Sequence, residues 1–159
     1  MRLFRRTLMP ASAADVYAFH ERPDALARLI PPWEHVRILQ PPASLAAGTR
    51  VVLRQWLGPI PVRVESVHQA CQPGRSFVDA MVRGPFKTWV HEHRFEAVSG
   101  SSSWLVDDVE YELPLEPLSR LLAPLVEARV ERMFAWRHQV TLEACRDPAA
   151  ARSHAPPVS

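Results

Sequence analysis

The spacing of apolar residues changes once along this chain, and the change limits the folds that the chain can adopt. Between residues 35 and 113, apolar and polar residues alternate in short stretches separated by turn residues, which is typical of antiparallel strands. From residue 118 onward, apolar residues recur about every 3.6 residues, which predicts one long amphipathic helix. A sheet with one apolar face must bury that face, so we expect the helix to lie across the sheet.

Local signals predict the remaining elements. Ser12 followed by Asp15 resembles a capping box, which predicts a helix over residues 13–20. A second short helix is predicted to begin near Asp24 and to end before Pro31. Pro124 is expected to kink the long helix or to mark a break near its start. The predicted fold is therefore α+β, with antiparallel strands at residues 3–9, 35–39, 50–57, 61–69, 75–82, 86–98 and 104–113.

Length and charge narrow the class of protein. The chain has 159 residues and a net charge of +2, and its basic residues form no run that would indicate a nucleic-acid partner. We expect one domain over residues 1–146 and a disordered tail over residues 147–159, which are rich in Ala, Pro and Ser. No apolar stretch is long enough for a membrane span, which favours a cytoplasmic protein, and no cofactor is predicted. Cys71 and Cys145 are expected to be free thiols, and monomer and homodimer both stay open.

One strand carries the most informative chemistry. Residues 89–95 read Trp-Val-His-Glu-His-Arg-Phe, and side chains along a strand alternate between its two faces. One face therefore carries Trp89, His91, His93 and Phe95. A buried face that carries two imidazoles is either a well-satisfied core or the wall of a binding site.

The flanking turns predict a partner for each histidine. A tight turn at Gly84-Pro85 sets Asp79 opposite His91, and the serine-rich turn near Gly100 sets Asp107 opposite His93. A buried carboxylate is costly unless it is paired, so the predicted pairs are Asp79 with His91 and Asp107 with His93. Because burial and an acidic partner shift a histidine pKa in opposite directions, the net direction stays open.

Three interpretations of these pairs are possible. They brace the sheet beneath the helix, they contact a ligand, or the His-x-His pattern and a carboxylate bind zinc or iron. We predict no metal, because no third histidine is expected nearby and the carboxylates already occupy both rings.

Other side chains have weaker claims to a role. Tyr111 either donates a hydrogen bond into a cavity or packs in the core. Arg129 and Arg137 lie on or beside the buried stripe of the long helix, where they either meet an acidic ligand or form salt bridges.

Four segments form a pattern that is known from one superfamily: Phe77-Val-Asp79, Gly84 to Phe95, Asp107 to Pro114, and Met133 to His138. With them the chain resembles the SRPBCC superfamily, which includes START lipid-transfer domains, the birch-pollen allergen group and polyketide cyclase/dehydrase-like proteins. The likeness is to a bacterial ligand-binding subgroup. It implies the helix-grip fold, in which a curved seven-stranded antiparallel sheet surrounds a long C-terminal helix, two short helices follow the first strand, and a cavity separates sheet from helix.

The resemblance implies a soluble binding protein for an apolar small molecule such as a lipid, an aromatic polyketide or an isoprenoid. One alternative is a cyclase/aromatase- or dehydratase-like enzyme, in which a His–Asp pair removes a proton beside a carbonyl while Tyr111 or the second histidine stabilises the enolate. Another is a structural or regulatory partner domain without a ligand. The predicted ligand-contacting residues are Phe77, Asp79, Met81, Trp89, His91, His93, Asp107, Val109, Tyr111, Met133 and Trp136.

Overall fold

One seven-stranded antiparallel sheet organises the fold. The computed structural model describes residues 1–115 and 118–146, so the predicted tail at 147–159 lies outside the described residues. The elements in chain order are β1 Arg2–Met9, α1 Ala13–Glu21, α2 Ala25–Leu29, β2 Val36–Gln40, β3 Arg50–Leu57, β4 Ile60–Gln72, β5 Ser76–Arg83, β6 Thr88–Ser99, β7 Ser102–Glu112, a 3-10 turn Leu118–Leu121, and α3 Ala123–Arg146.

The strand order is β1-β7-β6-β5-β4-β3-β2, and every neighbouring pair is antiparallel. Strands β2 to β7 form a meander, with short turns from β3 to β7 and a longer connection between β2 and β3, and β1 pairs with the free edge of β7. The seven predicted strands and the helix-grip architecture are confirmed. Among the described residues, none of the helices combines the length and apolar character that crossing a membrane would need.

The predicted register is confirmed at the histidine strand. In the β5–β6 pair, Asp79 lies opposite His91. In the β6–β7 pair, His93 lies opposite Asp107 and His91 lies opposite Val109. Residues directly opposite in an antiparallel pair point to the same face, so the sheet delivers both aspartates to the face that carries both imidazoles.

The helices form where their caps predict. The Ser12 side chain accepts a hydrogen bond from the Asp15 amide at 3.2 Å, so the capping box starts α1 as expected. The predicted break before the long helix is the 3-10 turn, and Pro124 is the second residue of α3. Proline is tolerated there because amides in the first turn of a helix have no intrahelical partner.

Helix α3 packs on the sheet along one stripe. Val130, Phe134, His138 and Thr141 recur three or four residues apart and are buried. Phe134 is the centre of this contact, because its side chain is inaccessible to solvent and packs with Leu3, Val109 and Tyr111 of the sheet. Leu125, near the start of α3, is 70% exposed.

The helix–sheet contact predicts the effect of truncating Phe134. We expect Phe134→Ala to lower the free energy of unfolding by about 3–5 kcal/mol, because it removes buried apolar surface and leaves a void. Urea denaturation measures the change. The matched control is Leu125→Ala on the same helix, which should change stability by no more than about 0.5 kcal/mol. Equal effects of the two substitutions would mean that α3 is not anchored through Phe134.

Candidate binding cavity

A cavity of about 510 Å³ lies between the sheet and α3. Most of its wall is apolar. Leu53 and Val64 from β3 and β4, Leu29 from α2, and Val126 and Met133 from α3 all line it. Apolar cavities of about 300–1,000 Å³ with a few polar groups are typical of small-molecule sites.

The opening of the cavity is also apolar. Leu115 and Leu122 line the cavity and are 79% and 57% exposed. A side chain that is both part of the wall and open to solvent marks the rim. The mouth therefore lies where β7 ends and the 3-10 turn leads into α3.

The polar part of the wall includes four histidines, Asp79, Glu34, and Arg129 and Arg137 of α3. His91 and His93 come from β6, His68 from β4 and His20 from α1. The rings are in contact: His91 and His93 have centroids 3.7 Å apart, and His20 lies 5.9 Å from His93. Phe77 stacks on His93 with a centroid distance of 3.9 Å, so an aromatic ring covers one side of the group.

Asp107 holds this group together from behind the wall. Its Oδ1 atom lies 3.0 Å from Nε2 of His91 and 2.9 Å from Nδ1 of His93, although the second contact is out of line for a hydrogen bond. Its Oδ2 atom lies 2.9 Å from Nε2 of His138 in α3. The other ring nitrogen of His138 is 2.7 Å from the Thr7 hydroxyl of β1. One carboxylate therefore bridges three imidazoles.

Asp79 completes the network from the cavity side. Its Oδ2 atom lies 3.3 Å from Nδ1 of His91 and 3.4 Å from Nε2 of His93. The predicted pairing was one aspartate to one histidine, but each aspartate contacts both rings because their centroids are only 3.7 Å apart. The expectation that no third histidine lies nearby is wrong: His138 reaches Asp107 from a helix whose approach strand pairing does not reveal.

The electrostatics of the network favour a charged His91. Burial opposes the charge, but the charges and hydrogen bonds of Asp107 and Asp79 outweigh burial and raise the pKa of His91 to about 9. Burial acts in the same sense on Asp79 and Asp107, and the neighbouring histidines outweigh it and hold both carboxyl pKa values well below their usual range. His91 is therefore an imidazolium between two carboxylates.

His20 and His68 differ from His91 because burial dominates. Burial, aided by the neighbouring His93, lowers the pKa of His20 to about 4. Burial also lowers the pKa of His68, against the attraction of Asp79. The Nδ1–H group of His20 donates to the Val16 carbonyl at 2.8 Å, which leaves the Nε2 lone pair without a partner among the described residues. The wall thus combines a charged imidazolium with neutral imidazoles.

The structure brings seven of the predicted ligand-contacting residues onto the cavity wall: Phe77, Asp79, Met81, Trp89, His91, His93 and Met133. Four others lie off it. Asp107 is behind the two histidines, and Val109 and Tyr111 are buried in the helix–sheet contact around Phe134. Trp136 packs edge-on against Trp33, with ring centroids 5.4 Å apart, because its place at the flank of the α3 stripe turns it toward α2. The geometry therefore gives these four no direct contact with the cavity.

Sequence reasoning missed His20, His68 and His138 as parts of the site. His20 lies four residues after Val16 on the buried face of α1, and His68 alternates with Val64 and Ser66 on the inner face of β4. Those periodicities were available signals for burial. Neither signal reveals that the three side chains converge on the β6 histidines, because α1, β4 and α3 are far apart in sequence.

Asp79, His91 and His93 have possible metal-ligating atoms within 4.8 Å of one another. The chemistry of this donor set does not suit a metal. Both ring nitrogens of His91 face carboxylate oxygens, which only accept hydrogen bonds, so both nitrogens carry protons and neither offers a lone pair.

The charge of His91 predicts a pH dependence of stability. A histidine in the unfolded chain titrates near 6.5 and His91 titrates at about 9 in the fold, so its stabilising contribution is complete below pH 6.5 and is lost as the pH rises through 9. We expect the free energy of unfolding to fall by a few kcal/mol across this interval, as urea denaturation at a series of pH values would show.

The variant His91→Gln should lack most of that fall, because glutamine does not titrate. His35→Gln is the control, because His35 is an exposed histidine outside the network. A pH slope that is unchanged in His91→Gln would contradict the assignment of the charge to His91.

This chain is similar in sequence or in fold to several known proteins. The family model for polyketide cyclase / dehydrase and lipid transport matches residues 9–139. A search of curated proteins found no match. The solved structures similar to this one include TTHA0849 from Thermus thermophilus, with a TM-score of 0.74 and 18% identity over 96% of this chain and 100% of that chain.

Two further structures show the same fold. The Zhui aromatase/cyclase from Streptomyces sp. R1128 has a TM-score of 0.73 and 17% identity over 92% of this chain and 93% of that chain. A START superfamily protein from Mycobacterium smegmatis has a TM-score of 0.63 and 14% identity over 89% of this chain and 97% of that chain. At these identities the likeness is one of fold, whereas the family match covers most of the sequence, and this chain therefore belongs to the polyketide cyclase / dehydrase and lipid transport family.

Proposed function

We propose that this protein binds a small molecule with an apolar body in the cavity between the sheet and α3. The observation that carries the proposal is the cavity itself, which has a volume of about 510 Å³ and a mostly apolar wall. Transfer of an apolar ligand from water into such a space is favourable by about 25 cal/mol for each Å² of apolar surface removed from water. Apolar burial would therefore supply most of the affinity.

The polar wall would orient the bound molecule. Two aspartates hold the imidazoles of His91 and His93 in place, so this part of the wall has a fixed shape and a fixed distribution of charge. His20 adds an acceptor, the Nε2 lone pair. A ligand with an apolar body toward the mouth and oxygen-bearing groups toward the histidines matches both parts of the wall.

If the ligand occupies the cavity, a larger side chain on the cavity wall should weaken binding. Leu53 lines the cavity, whereas the next residue of β3, Arg54, is exposed on the opposite face. We expect Leu53→Trp to weaken binding of the neutral apolar probe N-phenyl-1-naphthylamine at least about tenfold, because the indole takes the space of the ligand. Probe fluorescence measures binding, and Arg54→Trp is the matched control that introduces the same side chain outside.

Two outcomes count against this proposal. One is that the folded wild-type protein binds no probe and that native mass spectrometry of protein purified from cells finds no co-purifying small molecule. The other is that Leu53→Trp, with a normal circular dichroism spectrum, binds the probe as the wild type does. The first outcome would favour a partner domain without a ligand, and the second would place the probe outside the cavity.

A proton-transfer enzyme of the cyclase or dehydratase type is the second candidate. The observation in its favour is the Nε2 lone pair of His20 on the cavity wall, which has no partner in the part of the chain that the structure describes. His91 does not suit the role of base, because both of its nitrogens face carboxylates. A pKa of about 4 makes His20 a weak base, and for that reason binding ranks ahead of catalysis.

Deuterium exchange tests this candidate without knowledge of the substrate. A base beside a bound ketone moves a proton from the carbon next to the carbonyl to Nε2, and solvent D₂O returns a deuteron to the same carbon. If the protein is such an enzyme, it accelerates deuterium uptake by 2-nonanone above the buffer rate, as mass spectrometry measures, and His20→Gln abolishes the acceleration while His35→Gln keeps it. Uptake at the buffer rate by wild-type protein would exclude His20 as a base toward this ketone.

A further inference from the structure

We propose that Arg137 binds the carboxylate of the ligand, so that the ligand class is a monocarboxylic acid with an apolar body. The inference rests on the proposed binding function and adds the chemistry of the ligand's polar end. It starts from a cation in the cavity wall that has no hydrogen-bond or ion-pair partner among the described residues.

Arg137 projects from α3 into the cavity wall. Among residues 1–115 and 118–146, its guanidinium forms no ion pair and no hydrogen bond, and its Cζ atom lies 5.1 Å from the centroid of the Phe134 ring. Its Nε atom is buried and has no partner within that part of the chain, so Nη1 and Nη2 are the donors that a ligand in the cavity would reach.

Arg129 is an arginine of the same cavity that has a carboxylate partner. It lies two turns before Arg137 on α3 and also lines the wall. Its guanidinium binds both oxygens of Glu34, at 2.9 Å and 2.5 Å. The difference between the two arginines is the presence of a carboxylate, which the protein supplies to one and not to the other.

Among the described residues, no carboxylate forms an ion pair with Arg137. Oδ2 of Asp79 and both oxygens of Asp107 are engaged by histidines, and Glu34 is engaged by Arg129 and Gln55. The charges of Asp107 and Asp79 attract Arg137 at longer range, yet burial outweighs them and lowers its pKa. A buried guanidinium stays protonated, so its missing hydrogen bonds cost free energy that a ligand oxygen would recover.

The shape and charge of the site favour a carboxylate over other acceptors. A guanidinium is a planar fork that matches the two oxygens of a carboxylate in a bidentate pair. A phosphate dianion would carry twice the charge toward Asp79, which lies in this wall, and Asp107, which lies behind it. An uncharged alcohol or ester would leave most of the fork unpaired. The apolar remainder of the wall then requires an apolar body on the acid.

Calorimetric titration of the wild type and of Arg137 variants tests the assignment. The probes share one alkyl chain and differ in the polar end: laurate, 1-dodecanol and dodecyl phosphate, each below its micelle concentration. We expect wild-type protein to bind laurate most tightly. Arg137→Gln should weaken laurate roughly 10- to 100-fold while leaving 1-dodecanol unchanged, because only the charged hydrogen bonds are lost. The affinity of Arg137→Lys for laurate should lie between those of the wild type and Arg137→Gln, because a lysine keeps the charge without the planar fork of donors.

Arg132→Gln is the matched control, because Arg132 is an exposed arginine of the same helix that stacks on Trp33 outside the cavity. It should bind all three probes as the wild type does. Circular dichroism of each variant separates loss of binding from loss of folding, and Arg137→Lys retains the test if the glutamine variant does not fold.

Three results would overturn the inference. An unchanged preference for laurate over 1-dodecanol in the Arg137 variants would mean that water in the cavity satisfies the guanidinium. Tighter binding of dodecyl phosphate than of laurate would assign the site to phosphates, and equal binding of laurate and 1-dodecanol by wild type would assign it to uncharged ligands. Failure of every probe, including the neutral N-phenyl-1-naphthylamine, would instead remove the proposed binding function itself.

Discussion

The carboxylate of Asp107 is the point where the helix and the sheet of this protein are joined by polar contacts. Its strand lies between β1 and β6, and the side chain contacts His91 and His93 on one side and His138 of α3 on the other. The side chain is only 4% exposed, so its charge is sustained by the imidazoles and not by water. The position of α3 across the sheet brings His138 to the carboxylate that His91 and His93 also contact. The cavity is the space between the sheet and α3 in that position.

This arrangement divides the interior into two regions with different chemistry. Toward the mouth, leucine and valine side chains leave an open apolar volume. At the histidine wall, the charged His91 lies between two carboxylates, and the buried His20 and His68 are held neutral. A wall of buried polar groups beside an unfilled apolar space is suited to orienting a guest molecule. Among the described residues, Arg137 lacks the carboxylate partner that Arg129 has.

The same network explains why the sequence predicts the strand chemistry well and the wider site poorly. His91 and His93 share a face because the side-chain period of a strand is two residues, and two tight turns place Asp79 and Asp107 beside them. These are local relations that a reader of the sequence can count. His138, His20 and His68 come from α3, α1 and β4. They reach the site only because of how these helices and strands pack together. Trp136 illustrates the opposite error: it falls within the apolar pattern of the helix, but a small angular offset turns it to Trp33 and away from the cavity.

The sequence by itself determined the seven strands, the long C-terminal helix, the register of the histidine strand and the family pattern, because periodicity, turn residues and caps act over a few residues. Only the tertiary structure decided that Asp107 contacts three histidines, that Tyr111 and Val109 are core residues, and that Arg137 lines an open cavity without an ion-pair partner among the described residues. The physical reason is that ion pairing and cavity formation depend on which side chains, from elements far apart in sequence, come within a few ångströms of one another. No local pattern in the chain encodes that convergence, since it arises when the curved sheet closes on the helix.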